Sequence, residues 1–97
     1  MNEIIKKAIA EKKVLEFFYD GQRRIVEPHC YGLTTAGNWC LRGFQVAGGS
    51  VSGFVPHWKL FDLAEIRSLR MLEDVFLRPR PEYKRNDRAM VRIQAQL

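Results

Sequence analysis

The chain has 97 residues, enough for one domain with one modest core. A hydrophobic fraction of 46% with 28% charged residues excludes a disordered chain, and no apolar run is long enough to cross a bilayer. Two cysteines, Cys30 and Cys40, are too few for a secreted disulfide scaffold, and with no targeting segment at the N-terminus they point to reduced thiols in a cytoplasmic protein.

The net charge of +5 is unevenly placed. Residues 78–97 carry six Lys and Arg against Glu82 and Asp87, so +4 of the +5 belongs to them. The first 77 residues are nearly neutral. The basic pI therefore describes the C-terminal stretch and not the body, and it overstates nucleic-acid affinity of the fold itself.

Taken in order, Asn2 can cap a helix over about residues 3–12, with Ile4, Ile5, Ala8 and Ile9 at helical spacing. Such a short helix needs a sheet to pack on. Val14 to Tyr19 alternates as a first strand. Asp20-Gly21 is a tight hairpin signal, since both residues tolerate positive φ. Arg23 to Leu33 returns as a second strand, in which Pro28, lacking an amide donor, marks an edge, bend or bulge.

Thr34 to Asn38 is a turn cluster, and the run from Trp39 to Phe44 reads as a third strand, central to the sheet. Trp39 and Leu41 share one face; Cys40, Arg42 and Phe44 share the other. Gly48-Gly49 turns the chain into Val51 to Val55, Pro56 interrupts, and His57 to Leu63 resumes as a fourth strand. Leu63 to Ile66 fits a single helical turn, and Ile66 to Leu72 a last strand. Arg78-Pro79-Arg80-Pro81 breaks regular structure, and residues 83–97 are polar and basic with weak periodicity at Met90, Val91 and Ile93. The expected architecture is mainly β: a small antiparallel barrel or curled sheet over residues 1–77, with a short N-terminal helix and an irregular basic tail or arm over 78–97.

Trp39-Cys40-Leu41 resembles the signature tripeptide of the WYL domain, with Cys in place of Tyr. Upstream, Leu15 to Tyr19 followed by Gly21, and Arg24-Ile25-Val26-Glu27-Pro28, are similar to that family's opening hairpin. Downstream, Lys59 to Ile66 is similar to its closing segment. The resemblance covers roughly residues 1–75 in the right order. It implies an SH3-like (Sm-like) barrel with an N-terminal helix. It also implies a regulatory sensor that binds nucleotides or single-stranded nucleic acid through basic and aromatic residues. Carried over, it touches Arg24, the strand of Trp39 to Leu41, and Lys59. Two positions depart from the family pattern: Cys40 lacks the usual ring, and Glu65 stands where an Arg usually precedes Ile, with Arg67 two residues on. No helix-turn-helix can be read before residue 3, so the expectation is a stand-alone module.

The residues themselves offer little catalytic chemistry. His29, Cys30, Cys40 and His57 are zinc-ligand types, but no pair has ligand spacing, and neighbouring strand residues point to opposite faces. The plainer reading makes both cysteines small buried hydrophobes. No nucleophile sits beside a base at a useful spacing, and Gly48-Gly49 is a hairpin turn and not a phosphate loop. No enzyme, no metal and no cofactor is expected.

The candidate ligand or nucleic-acid site is instead Arg24, Arg42, Lys59 and Arg67 with the rings of Tyr19, Tyr31 and His29: guanidinium groups fork onto phosphate and rings stack on bases. The bland alternative puts the rings in the core and the cations on a solvated face. Trp39 is expected in the core, while Trp58 fits core or surface equally. Two functions stand side by side: a ligand-binding regulator of a partner, and a protein-interaction or homo-oligomerisation module with no small ligand.

Overall fold

The computed structural model describes residues 1–97. Strands account for 54% of the chain, far above the usual quarter, so the fold is mainly β. One helix, α1 (Asn2–Glu11), precedes β1 (Lys13–Tyr19), β2 (Gln22–Thr34), β3 (Trp39–Gly48), β4 (His57–Asp62), a 3-10 turn (Leu63–Glu65), β5 (Arg67–Val75) and β6 (Met90–Gln96). All strand pairs are antiparallel, in the order β4-β3-β2-β1-β5, with β6 added to β2.

Helix α1 buries Ile5, Ala8 and Ile9, as its spacing requires, while Ile4 faces outward. Asn2 lies inside the helix and caps nothing; Met1 is the N-cap residue and offers no side-chain bond. Lys12 ends the helix in the left-handed region, with φ 53°. Asp20 and Gly21 also have positive φ, 52° and 71°, the geometry of a tight primed turn.

The hub of the sheet is β2 and not β3. At 13 residues it is long enough to pair with β1 through its first half, with β6 through its last, and with β3 along most of its length. The register slips between Pro28 and Cys30, so His29 is the extra residue of a bulge beside the proline. The loop after Gly48 differs from expectation as well. Residues 49–56 form no strand, and Val51 and Phe54 are exposed, because no neighbouring strand takes up their backbone.

The sheet is open but strongly curled. Flat strands about 4.8 Å apart would put β4 and β5, at opposite ends of a five-strand path, about 19 Å from each other. The five links from Asp62 to Arg67 reach at most ~18 Å when fully extended, and Leu63–Glu65 are wound into a 3-10 turn that shortens them further. The sheet therefore has to roll up, and it does: Phe61 of β4 meets Phe17 and Tyr19 of β1 edge-on, with centroids 4.9 and 5.0 Å apart. The Asp62 amide donates to the Tyr19 hydroxyl at 3.0 Å. Around this contact lies the main core of Ile5, Leu15, Phe17, Val26, Tyr31, Leu41, Phe61 and Ile66, closed below by α1.

Residues 78–97, expected to be irregular, are ordered against the body. The stretch 76–89 crosses the outer face of β2, β3 and β4 as a strap, and β6 then pairs with Cys30 to Thr34. A second, smaller core of Cys30, Cys40 and Met90, flanked by Tyr83 and Ile93, lies under the strap. Both cysteines are buried free thiols, and burial pushes the Cys30 thiol up to about 11. No group of three or more His, Cys, Asp or Glu side chains is placed to share a metal ion.

Candidate functional site

The pairing of β3 with β4 decides which candidate residues can act together. Arg42 stands opposite Leu60 and Phe44 opposite Trp58, so these four point to the outer face. Gly43 stands opposite Lys59 and Leu41 opposite Phe61, and these point to the inner face. Arg42 and Lys59 are thus on opposite sides of the sheet and cannot hold one small ligand.

On the inner side, Arg24 is buried with 3% exposure. Its Nε and Nη2 donate to the Tyr19 carbonyl at 3.3 and 2.9 Å, and its Nη1 to Gln45 Oε1 at 3.2 Å. The guanidinium also lies over the rings of Tyr19 and Phe61, 5.5 and 5.9 Å from their centroids. Gln45 passes the connection on, donating to the Ala47 and Gly49 carbonyls at 3.1 and 2.7 Å. Arg24 therefore ties the end of β1 to the turn after β3.

Beside this network, Lys59 Nζ donates to Ser50 Oγ at 2.8 Å and to Ser52 Oγ at 2.9 Å. None of the ion pairs includes Lys59. Desolvation and the nearby positive charge of Arg24 both lower its pKa. Arg24 has Asp20 at 4.0 Å, while Lys59 has no carboxylate of its own, so an anion at Lys59 would offset the positive charge it feels from Arg24.

The outer side is built around His29. Its Nε2 accepts from the Arg80 amide at 3.1 Å, which leaves Nδ1 as the protonated nitrogen, donating to the Glu27 carbonyl at 2.8 Å. Its ring meets Trp58 edge-on at 4.6 Å, stacks with Phe76 at 5.6 Å and touches Tyr83 at 5.0 Å. Arg80 forks onto Glu27 at 2.7 and 3.0 Å, and its guanidinium covers Phe44 at 4.8 Å. Arg42 donates to Asp87 at 2.7 and 3.4 Å. Burial alone would raise Asp87, but the bond and charge of Arg42 and the Ala89 amide outweigh it and leave the carboxyl below its usual range.

This geometry makes the strap sensitive to acid. Burial lowers the His29 pKa; the Glu27 carbonyl and carboxylate oppose the shift, and Arg80 adds to it. The unfolded chain takes up its proton first, below about pH 6.5. The stability owed to neutral His29 is therefore complete above ~6.5 and is lost as pH falls toward the lowered folded value. A proton on Nε2 would also face the Arg80 N–H, donor against donor. Urea midpoints should fall between pH 7.5 and 5.5 for the parent. His29→Gln, which keeps a donor and an acceptor but does not titrate, should show a flatter profile. Equal slopes for the two proteins would remove His29 from this role.

The seven sequence candidates thus divide. Arg24 and Tyr19 form the inner brace, and Lys59 stands free beside them. Tyr31 is a core residue with 4% exposure, packed on half-buried Trp39 at 5.6 Å. His29 is sealed beneath the strap. Arg67 donates to the Ala64 and Ile66 carbonyls at 2.8 and 3.1 Å, holding the 3-10 turn. Arg42 belongs to the outer face with Asp87. Sequence reasoning did not single out Gln45, Ser50 and Ser52 on the inner side, or Arg80, Tyr83 and Asp87 on the outer. The Ser-x-Ser spacing in a glycine-rich turn was the one available signal.

Fold and site together define a small, curled antiparallel domain with an unpaired lysine held by two hydroxyls and a C-terminal strap locked on its outer face. Comparison with known protein families, curated proteins and solved structures finds no match to this chain.

Proposed function

We propose that this is a non-catalytic regulatory module of the WYL kind, cytoplasmic, which binds a nucleotide or single-stranded nucleic acid by its phosphate and regulates a partner by contact. The resemblance of residues 1–75 supports it, and so does the strand path, whose curl we read as an SH3-like barrel left open between β4 and β5. The observation that carries the proposal is Lys59: an ammonium with no carboxylate partner, steadied by Ser50 and Ser52 and set beside the buried charge of Arg24. Arg24 takes the role of positioning the turn; Lys59 makes the contact. Phe54 of the adjoining loop and His57 at the start of β4, with their rings 6.5 Å apart, offer a surface for a base.

A charge-assisted phosphate contact is worth about 1.5–3 kcal/mol. Lys59→Ala should therefore weaken binding of an eight-nucleotide single strand at this site by roughly tenfold or more, measured at low salt from the amide shifts of Ser50 and Ser52, with the melting temperature unchanged within a few degrees. Amide shifts on titration should centre on Ser50, Ser52 and Lys59. Undiminished affinity in the variant would overturn the assignment. One observation favours the second reading, an interaction module: Val51 and Phe54, 73% and 70% exposed, sit next to the unpaired edge of β4. Failure of the parent to bind any strand or nucleotide would favour that reading.

A further inference from the structure

The outer face carries a second binding feature, whose wall is built from residues beyond the stretch of family resemblance. Where the strap crosses β3 and β4 it leaves an open cleft of about 550 Å³, within the range of small-ligand sites. Arg42 and Trp58 form its floor, and residues 82–88 of the strap form its wall. Trp58 is half-buried, and its ring stacks near-parallel on Tyr83, with 6.0 Å between centroids and 23° between planes. Four cations and two carboxylates line the cleft. Lys84 and Arg88 are exposed and make no ion pair or side-chain hydrogen bond, while Arg42 is already held by Asp87.

We propose that this cleft binds a nucleoside monophosphate unit, either free or within a single strand. The base lies against the Trp58–Tyr83 stack, and the phosphate is held by Lys84 and Arg88 with the outward edge of Arg42. An indole face that is partly wet and partly supported by a second ring is suited to stack a base. A cluster of cations only partly neutralised is suited to a phosphate dianion. Asp87 is then the built-in competitor: its carboxylate occupies Nε and Nη2 of Arg42 and opposes an incoming phosphate. The site does not depend on Lys59, which is on the other side of the sheet.

Trp39 and Trp58 are the two tryptophans, so Trp39→Phe leaves Trp58 as the sole indole reporter. Adenosine 5′-monophosphate should quench its emission saturably; adenosine alone and inorganic phosphate alone should do so far more weakly. Lys84→Ala with Arg88→Ala, both exposed, should weaken quenching at least tenfold with an unchanged melt. Asp87→Asn keeps an acceptor for Arg42 and the Ala89 amide but removes the charge, and it should tighten binding several-fold. A purely structural Asp87 would weaken binding instead, and that result would overturn the competitor role. Lys59→Ala should leave the quenching as it was; loss of quenching there would return the ligand to the inner site and overturn this one. An oligothymidylate that quenches at lower concentration than the mononucleotide assigns the cleft to a strand, and the reverse order to a free nucleotide. No quenching by either would overturn the site.

Discussion

Removing residues 78–97 is expected to unfold the domain, not to trim a tail. Three layers of interaction would go together. The ladder from Met90 to Gln96 leaves the second half of β2 with one partner strand instead of two. The outer core loses Met90, Tyr83 and Ile93, opening Cys30 and Cys40 to water. The polar contacts are also concentrated on β2: Arg80 forks onto Glu27, the Arg80 amide bonds the His29 ring, and both the Tyr83 hydroxyl and the Leu97 amide donate to the His29 carbonyl. Burial of one Met or Leu side chain is worth about 2–5 kcal/mol by truncation, and each hydrogen bond about 1 kcal/mol. Their sum approaches the ~5–15 kcal/mol that holds a whole domain. The truncated chain should show no cooperative melt by circular dichroism and should lose dispersion in its amide spectrum. A cooperative melt within about 5 °C of the parent would mean that the strap merely rests on a finished fold.

Local chemistry was legible in the sequence; long-range closure was not. Asp20-Gly21 announces its own turn because the positive φ values are properties of those two residues. Trp39 to Phe44 announces its two faces because alternation is a local rule, and Pro28 announces its bulge because a missing amide cannot be hidden within a ladder. By contrast, β6 was obscured in a polar stretch, since register slips along its pairing with β2 break the period of two: Val91 and Arg92 both face water, and Met90 and Ile93 both turn in. The prominence given to β3 followed from its aromatic content, whereas the hub is set by length, and a strand of 13 residues with a bulge can serve three neighbours.

How the candidate residues divide between the two faces was hidden for a related reason. An Arg on a strand can present its fork to a ligand or spend it on carbonyls, and composition does not distinguish the two. Arg24 finds the Tyr19 carbonyl five residues back and Gln45 across the sheet, so it is consumed internally. Arg42 finds its carboxylate in Asp87, 45 residues on. Lys59 finds only hydroxyls, and that difference, visible only once the chain is folded, singles it out.

Phe61→Ala should have the largest effect of any single substitution in the inner core. Phe61 is 1% exposed and is the contact by which β4, at one end of the strand path, closes on β1 near the other. It meets two rings edge-on and lies beneath the Arg24 guanidinium. Truncation of a buried Phe costs about 3–5 kcal/mol. At ~4–8 °C per kcal/mol for a domain of this size, the melting temperature should drop by at least ~12 °C. Phe18→Ala, one residue from Phe17 but 43% exposed on the opposite face of β1, should cost less than about 1 kcal/mol. The pair separates position from residue type, since both remove the same ring. Phe61→Leu refines the argument: it keeps most of the apolar volume but gives up the edge-to-face contacts, worth about 0.5–1.5 kcal/mol beyond area. It should fall between the two and slightly loosen the amides of Tyr19 and Asp62 in hydrogen exchange. If Phe61→Ala melts as Phe18→Ala does, the curl of the sheet is held by α1 and the strap and not by this contact.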